Sequence, residues 1–522
     1  MEKLRGGATR LFYLVFVLAM GWLLFNVVFL NPWFDYSPLI ALPLAAVWLA
    51  AFFGLWKLAG RLQGYWSAHE KRCLLGFFLL LSAVQLLFYW QAGSWPNCDL
   101  ERVYTGAYNY TITGIIEDPY LDYFYKYPNN MPLTILLQFF FRVFYRLTGS
   151  TSFLWIGIAY NVVCIDLAYL FLYLCGRELG GVRLGSAAMG LLLLCVPLHC
   201  YITTFYTDTT TMLYPPLALW LWTRMRKAKS RRVWLAALAA LAVAVGFGMK
   251  QKYSVVIVLI AIVIDGLLRA PKAALAVAAS TLAAFLLWSS LFDGFMYAHI
   301  LDREKAKDAA TPFLSWIMMS LKGDGTHNPE DNYLIWYWPT AEEREWQAKE
   351  EIKRRLQEYG PIGYLQFLNR KGVRSFGSGD LDVQTNPALS PMRDTFIVQC
   401  TWERGRYWDE FRYVAQGYHI ALFSLLIAGA AAAARRRDWR CFVPHLSFFG
   451  LYLFLLLWEA RQRYLINYMG MFTLSAAFGL LMLEEARRRR AEKAARPAGT
   501  GTEKDALEPR TPAAEGENPP TG

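Results

Sequence analysis

The sequence contains no convincing internal repeat, no cysteines at metal-ligand spacing, and no small-x-small cleavage site between its first apolar run and Pro32. The missing repeat counts against transporters built from inverted halves. The eight cysteines are scattered, with Cys73, Cys164, Cys175, Cys195 and Cys441 inside or beside apolar runs, so no metal site is read from them. Only Cys98 and Cys400 fall in polar outer segments, and a disulfide between them is left open. Lys3, Arg5 and Arg10 precede the first run as they would in a signal peptide. That run is long for one, and it is expected to persist as a helix. A net charge of +12 does not point to nucleic acid, because the basic residues gather in short loops and in the tail, where the positive-inside rule accounts for them.

What is abundant is apolar surface. The 522 residues are 56% hydrophobic and 16% aromatic, above the share of soluble domains. Thirteen apolar runs recur, near 11–30, 38–58, 73–90, 131–147, 153–175, 185–203, 209–223, 233–249, 253–268, 273–292, 416–434, 441–458 and 464–483. Crossing a hydrocarbon core of roughly 30 Å takes about 20 such residues in a helix. The expected fold is an all-α polytopic membrane protein of about 12–13 transmembrane helices with two large outward-facing loops.

Basic loops at 57–72, 224–232 and 435–440, with the run Arg487–Arg490, mark the cytoplasmic side. The segments 91–130 and 293–415 then face outward, as do the short links around Asp208, Lys250–Lys252 and Glu459–Arg463. The chain divides into N-terminal helices (1–90), a first outer loop (91–130), a central bundle (131–292), a large outer cap (293–415), C-terminal helices (416–483) and a tail (484–522). Seven runs separate the two outward segments, and an odd number cannot return the chain to the same side. One run must fail to cross, and 131–147, carrying Gln138, Arg142 and Arg146, is the expected one. Within the cap, 341–358 reads as an amphipathic, charge-laced helix. The tail from Arg496 is rich in Pro, Gly, Ala and Glu without periodicity, and is expected to be disordered and cytoplasmic.

The outer side collects the chemistry. The loop 91–130 carries Asp99, Glu101, Glu117, Asp118 and Asp122 and ends in Tyr127-Pro128-Asn129-Asn130. Acids at the mouth of a membrane bundle are costly to keep near lipid, so they are functional candidates. Asp99, just past the third run, has the setting of a general base; a solvated helix-capping role is the alternative. Asp208, before an apolar run, reads as a helix cap that could also face a shared cavity. Lys250 and Lys252 sit at a helix C-terminus on the outer side, where the dipole favours them but the positive-inside rule does not. Glu459, Arg461 and Arg463 form a short outer link, and two arginines there suit a bidentate phosphate grip. His199 and His299 read as packing or surface residues. Together these residues suggest a cavity for an anionic, membrane-borne ligand and a hydroxyl-bearing partner.

Asp99 to Leu133 resembles the first outer loop of the GT-C-type glycosyltransferases, which include the protein O-mannosyltransferases and the aminoarabinose transferases of lipid A. The corresponding elements are Asp99 with Glu101, then Tyr104, Ala107 and Gly114, then Tyr127-Pro128-Asn129-Asn130-Met131-Pro132-Leu133. Tyr206-Thr207-Asp208, Gly248-Met249-Lys250 and Glu459-Ala460-Arg461-Gln462-Arg463-Tyr464 are similar to later elements of bacterial members. The resemblance covers about residues 73–483. The usual adjacent Asp-Glu pair is interrupted by Leu100, and two extra helices precede the catalytic loop.

The resemblance implies transfer of a sugar, with inversion, from a polyprenyl-phosphate carrier to a hydroxyl on a glycan, lipid or protein at the outer side of a bacterial plasma membrane. Asp99 would act as base with Glu101 beside it. Lys250, Arg461 and Arg463 would hold the carrier phosphate, Glu101, Asp122, Asn129 and Asp208 would position the acceptor or sugar, and Tyr127, Asn130, Lys252 and Glu459 would belong to the same substrate site. Some members of the class use a divalent metal ion, so one is allowed here; no nucleotide or nucleic acid is involved. A transporter of lipid-linked saccharide and a non-catalytic scaffold of envelope assembly are the competing functions. The transporter would need the same grip but no base at Asp99.

Overall fold

Apolar segments in lipid must satisfy their backbone groups internally, and in this chain they do so as helices. In the computed structural model, which describes residues 2–494, no strand forms among the described residues. One isolated bridge pairs Ser94 with Pro391. Among the described residues, eight helices are long and apolar enough to cross a membrane, and two shorter apolar ones, Val182–Leu193 and Phe442–Leu457, accompany them. The protein is a multi-pass membrane protein.

The first three helices are α1 (Glu2–Phe29), α2 (Pro38–Ala68) and α3 (Glu70–Ala92). The segment 57–72, expected as a loop, is helical except at His69, because α2 continues past its apolar run as a charged helix. The first outer segment is helical too, with α4 (Cys98–Ile112) and α5 (Tyr120–Lys126) leading into α6 (Met131–Thr148).

Helix α6 is the run 131–147, and it is not among the long apolar spans. Leu133, Leu137 and Phe141 are buried along one face, whereas Phe139 and Leu147 are exposed. Its buried face joins Leu100 and Val103 of α4, Phe153 and Ile158 at the start of α7 (Phe153–Gly180), and Phe205 in one cluster. Phe141 stacks on Phe153 at 4.8 Å, across the turn Gly149–Ser152. The buried face of α6 is thus packed among α4, the start of α7 and Phe205.

Helix α8 (Val182–Leu193) rises from the cytoplasmic end for only 12 residues. The chain then passes through the short helices α9 (Val196–His199) and α10 (Thr207–Thr210) before α11 (Tyr214–Arg226) descends. This irregular stretch brings Tyr206 and Asp208 inward. It is followed by α12 (Arg231–Gln251), α13 (Val256–Arg269) and α14 (Pro271–His299).

The cap contains α15 (Arg303–Ala309), α16 (Phe313–Met319), α17 (Pro329–Trp336), α18 (Ala341–Phe376) and α19 (Phe396–Thr401). The helix expected over 341–358 extends to Phe376, with a kink at Gly360 (φ 56°) before Pro361. Its first half carries the charges Glu342 to Glu358, and the second half turns apolar and buries Phe367, Lys371, Val373 and Phe376. That second half re-enters the bundle. Asn369 bonds Trp22 and Asn26 of α1, and the Phe376 carbonyl accepts from His419, which lies three turns into α20 (Trp408–Arg436). The segment 293–415 is thus more than a cap: its 370–389 portion forms part of the bundle interior.

The C-terminal helices are α20, α21 (Phe442–Leu457) and α22 (Met469–Ala494). A Cβ at Gly479 would lie 2.1 Å from the Leu425 carbonyl oxygen, so the contact of α20 with α22 depends on glycine. Residues 484–494, expected to be unstructured, continue α22; the tail beyond lies outside the described residues. The extension is held by ion pairs of Glu484 with Arg183 and Glu485 with Arg436. These join Arg177–Glu70, Lys227–Glu178 and Arg269–Asp265 at the end that the basic loops mark as cytoplasmic.

Candidate active site at the outer end of the bundle

Asp99 occupies the first turn of α4, where acids are favoured by the helix dipole. Its Oδ1 accepts a hydrogen bond from the Tyr123 hydroxyl at 2.9 Å, and its Oδ2 lies 3.4 Å from the Tyr206 hydroxyl. Asn130 ties the two tyrosines together: its Nδ2 donates to Tyr123, and its Oδ1 accepts from Tyr206 at 2.9 Å. Burial, then the Asp99 charge, pushes both phenols well above their ordinary range, so they remain donors. Asp99 is only half-buried, which leaves it reachable from outside.

Tyr206 immediately precedes α10, and Asp208 sits two positions on, 4% exposed. Asp208 pairs with Lys252, and its other oxygen lies 3.8 Å from Arg463 Nε. Burial pulls the Lys252 ammonium below its usual range, and Asp208 opposes that shift. Lys252 also lies 4.8 Å over the Tyr464 ring, whose hydroxyl donates to Glu459 at 2.7 Å. Glu459 in turn receives Arg461 Nε at 3.2 Å. Among the described residues Arg461 bonds only through that nitrogen, and Arg463 donates only through Nη1, to Asn386, while its Nε faces Asp208 at 3.8 Å. Free N–H donors therefore remain on both guanidinium groups.

Asp99 with Asn130 and Tyr127, and Asp208 with Lys252, Arg463, Glu459 and Arg461, thus gather into one cluster joined by Tyr206-Thr207-Asp208. Tyr127 lies against Tyr123 and packs between Trp316 and Trp336 of the cap, at 6.0 and 6.1 Å. Four other candidates lie apart. Glu101 is two positions from Asp99 on the same helix, and such residues do not share a face. Asp122 pairs with Lys126 on an exposed edge. Asn129 is exposed. Lys250 pairs with Asp293 of α14 at 2.8 Å, one helix face away from Lys252. Cys98 and Cys400 are free thiols.

Tyr206 and Tyr464, which lie in the motifs Tyr206-Thr207-Asp208 and Glu459 to Tyr464, join the cluster. Tyr123, Asp382 and Asn386 complete it and were not singled out from the sequence. Asp382 follows the turn-rich Ser375–Gly379 stretch, where small residues permit close approach to α20. A Cβ at Gly379 would meet the Ala415 carbonyl oxygen at 2.2 Å.

For a divalent metal ion the donor set is a poor fit. The groups that touch Asp99 are phenols, with an amide behind them, and no group of three His, Cys, Asp or Glu converges as a metal site among the described residues.

A helical membrane protein with a shielded carboxylate and a buried cation cluster on one side is the class that this fold and site define. The chain belongs to the family described as conserved hypothetical integral membrane protein, whose profile matches residues 36–482. No curated protein sequence matches it. Among solved structures it is similar to the archaeal oligosaccharyltransferase AglB from Archaeoglobus fulgidus, determined with an inhibitory peptide and a dolichol-phosphate. The TM-score is 0.40 and the identity 12%, over 83% of this chain and 53% of that one, so the chain spans about half of AglB. It is also similar to ArnT from Cupriavidus metallidurans bound to undecaprenyl phosphate, with a TM-score of 0.32 and 14% identity over 80% of each chain.

Proposed function

We propose that this protein is a GT-C-type glycosyltransferase that moves a sugar from a polyprenyl-phosphate carrier to a hydroxyl acceptor, with inversion, on the outer side of a bacterial plasma membrane. One observation carries the proposal: Tyr206 stands against a half-buried carboxylate, Asp99, and Asp208, two positions further on, pairs with Lys252 and lies 3.8 Å from Arg463, so one short stretch joins the carboxylate to a buried cation cluster. Acid–base work on a hydroxyl needs the first, and departure of a phosphate needs the second.

In the proposed step the acceptor oxygen attacks the anomeric carbon and its proton passes to Asp99. The bond from that carbon to the phosphate oxygen breaks, and the electron pair leaves on the carrier phosphate. Lys252, Arg461 and Arg463 offset the charge that develops there, and their free guanidinium donors suit the tetrahedral oxygens. Tyr123 and Asn130 hold the Asp99 carboxylate, directly and through Tyr123. The aromatic wall of Tyr127, Trp316 and Trp336 excludes water and offers the sugar a stacking surface.

The test uses purified full-length protein in nanodiscs with radiolabelled polyprenyl-phosphate sugars and a membrane acceptor extract. Wild type transfers label to a new product, and Asp99→Asn loses about 10²–10⁴-fold of that rate, the usual worth of a positioned base. Equal transfer by both proteins removes Asp99 from the mechanism. Carrier binding without transfer by wild type, across a panel of glycan, lipid and protein acceptors, favours carriage over catalysis.

A further inference from the structure

Arginines at the surface of a cavity wander unless their backbone is fixed, and the link Glu459–Arg463 is a turn between two helices. What fixes it comes from a distant part of the sequence. Asp382 is 1% exposed, and its Oδ2 accepts from the backbone N–H of Gln462 at 3.0 Å and of Arg463 at 3.4 Å. Four positions later Asn386 accepts from the Arg463 guanidinium. Gln462 also donates through its side chain to the Arg374 carbonyl at the end of α18.

The segment that presents Asp382 is held in an unfavourable conformation. Leu381 and Asp382 both have φ of 58°, a left-handed region unfavourable to non-glycine residues that persists only where its surroundings hold it. Those surroundings are explicit. Gln416 of α20 bonds the Gly379 amide at 2.9 Å and the Gly377 carbonyl at 3.0 Å, His419 bonds the Phe376 carbonyl at 2.8 Å, and Tyr201 bonds the Leu381 carbonyl. A re-entrant turn is thus clamped on three sides, and it delivers one carboxylate to two adjacent amides. The other oxygen, Oδ1, is buried with no hydrogen-bond partner among the described residues.

We propose that Asp382 is a positioning residue: through the Gln462 and Arg463 amides it aims both arginines of the link at the phosphate of the carrier. The proposal rests on the carrier-binding function above. It adds that the cap-side segment 377–389, not the link itself, decides how tightly a phosphate is gripped. Asp382 touches no substrate atom in this scheme. Its negative charge also supports the nearby Arg461 guanidinium, which Glu459 and then Asp382 raise against the pull of burial.

The test compares wild type, Asp382→Ala and Asp382→Asn, full-length in nanodiscs, for binding of undecaprenyl phosphate and of uncharged undecaprenol. Asp382→Ala is expected to weaken the phosphate at least tenfold and to leave undecaprenol unchanged. Asp382→Asn tolerates the left-handed backbone and keeps one acceptor, so it recovers most of the loss. Equal loss for both lipids would mean general structural damage, and no loss for either would mean no alignment; each overturns the proposal. Amide hydrogen exchange of the 458–468 peptide supplies a readout free of lipid. Gln462 and Arg463 lose protection in Asp382→Ala, and unchanged protection again overturns the proposal. If wild type binds neither lipid, the carrier function fails by itself, and exchange alone decides whether Asp382 holds the link.

Discussion

The Tyr206 hydroxyl stands 3.4 Å from Asp99 Oδ2 while donating to Asn130 at 2.9 Å, so residues 107 and 76 positions apart in sequence share one phenol. Tyr206→Phe removes both contacts without changing the ring packing. Transfer is expected to fall about tenfold, the worth of one hydrogen bond to a charged group. Rates for Tyr206→Phe, Asp99→Asn and the double variant check this. Additive losses would show that the phenol acts independently of Asp99.

Lys252 is held in the interior by Asp208. Asp208→Ala leaves a buried ammonium unpaired, which typically costs 3–5 kcal/mol. A lower midpoint of thermal unfolding in detergent is expected, and Lys252→Met in the same chain restores most of it. Activity stays lost in the double variant, because the phosphate grip is gone.

Asp122 and Asn129 are exposed and apart from the cluster. Asp122→Ala and Asn129→Ala are expected to keep transfer within about twofold of wild type, as surface changes of ±0.5 kcal/mol would. A large loss in either would extend the site beyond the cavity.

Glu351 in the cap is bonded first by Arg354 and then by Arg355, which hold its carboxyl down to about 2. A depressed carboxyl stabilises the fold above its unfolded value near 4.3, and that contribution is lost as pH falls through about 2. The cap should therefore loosen between about pH 4 and 2, and Glu351→Gln should flatten that dependence. Hydrogen exchange of 341–358 across this range measures it.

The close approach of α20 and α22 at Gly479 predicts that Gly479→Leu separates them. Loss of at least 3 kcal/mol is expected from overpacking against backbone. Thermal unfolding in detergent checks this, with the exposed Gly64→Ala as a neutral comparison.

Much of this molecule was legible in its sequence, because lipid imposes a one-dimensional code. Long apolar runs become helices, and the run 131–147, with its Gln138, Arg142 and Arg146, is set apart from the long apolar spans. Asp99, Asp208 and the Arg461–Arg463 link stood out because charge is scarce at such places. Which of these meet was not legible. Asp99 and Glu101 look equivalent in sequence, and the helical twist of α4 separates them; Lys250 and Lys252 look like a pair, and the end of α12 sends them to different acids.

The sequence by itself determined the helical membrane architecture and the short polar stretches that carry Asp99, Asp208 and the Arg461–Arg463 link, since each follows from local hydrophobicity and charge. Only the tertiary structure decided that a segment expected to cap the cavity turns back into the bundle and places Asp382 under Gln462 and Arg463. That contact joins residues about 80 positions apart through a strained turn, and no local pattern encodes it, because its stability comes from Gln416, His419 and Tyr201 on elements far away in the chain.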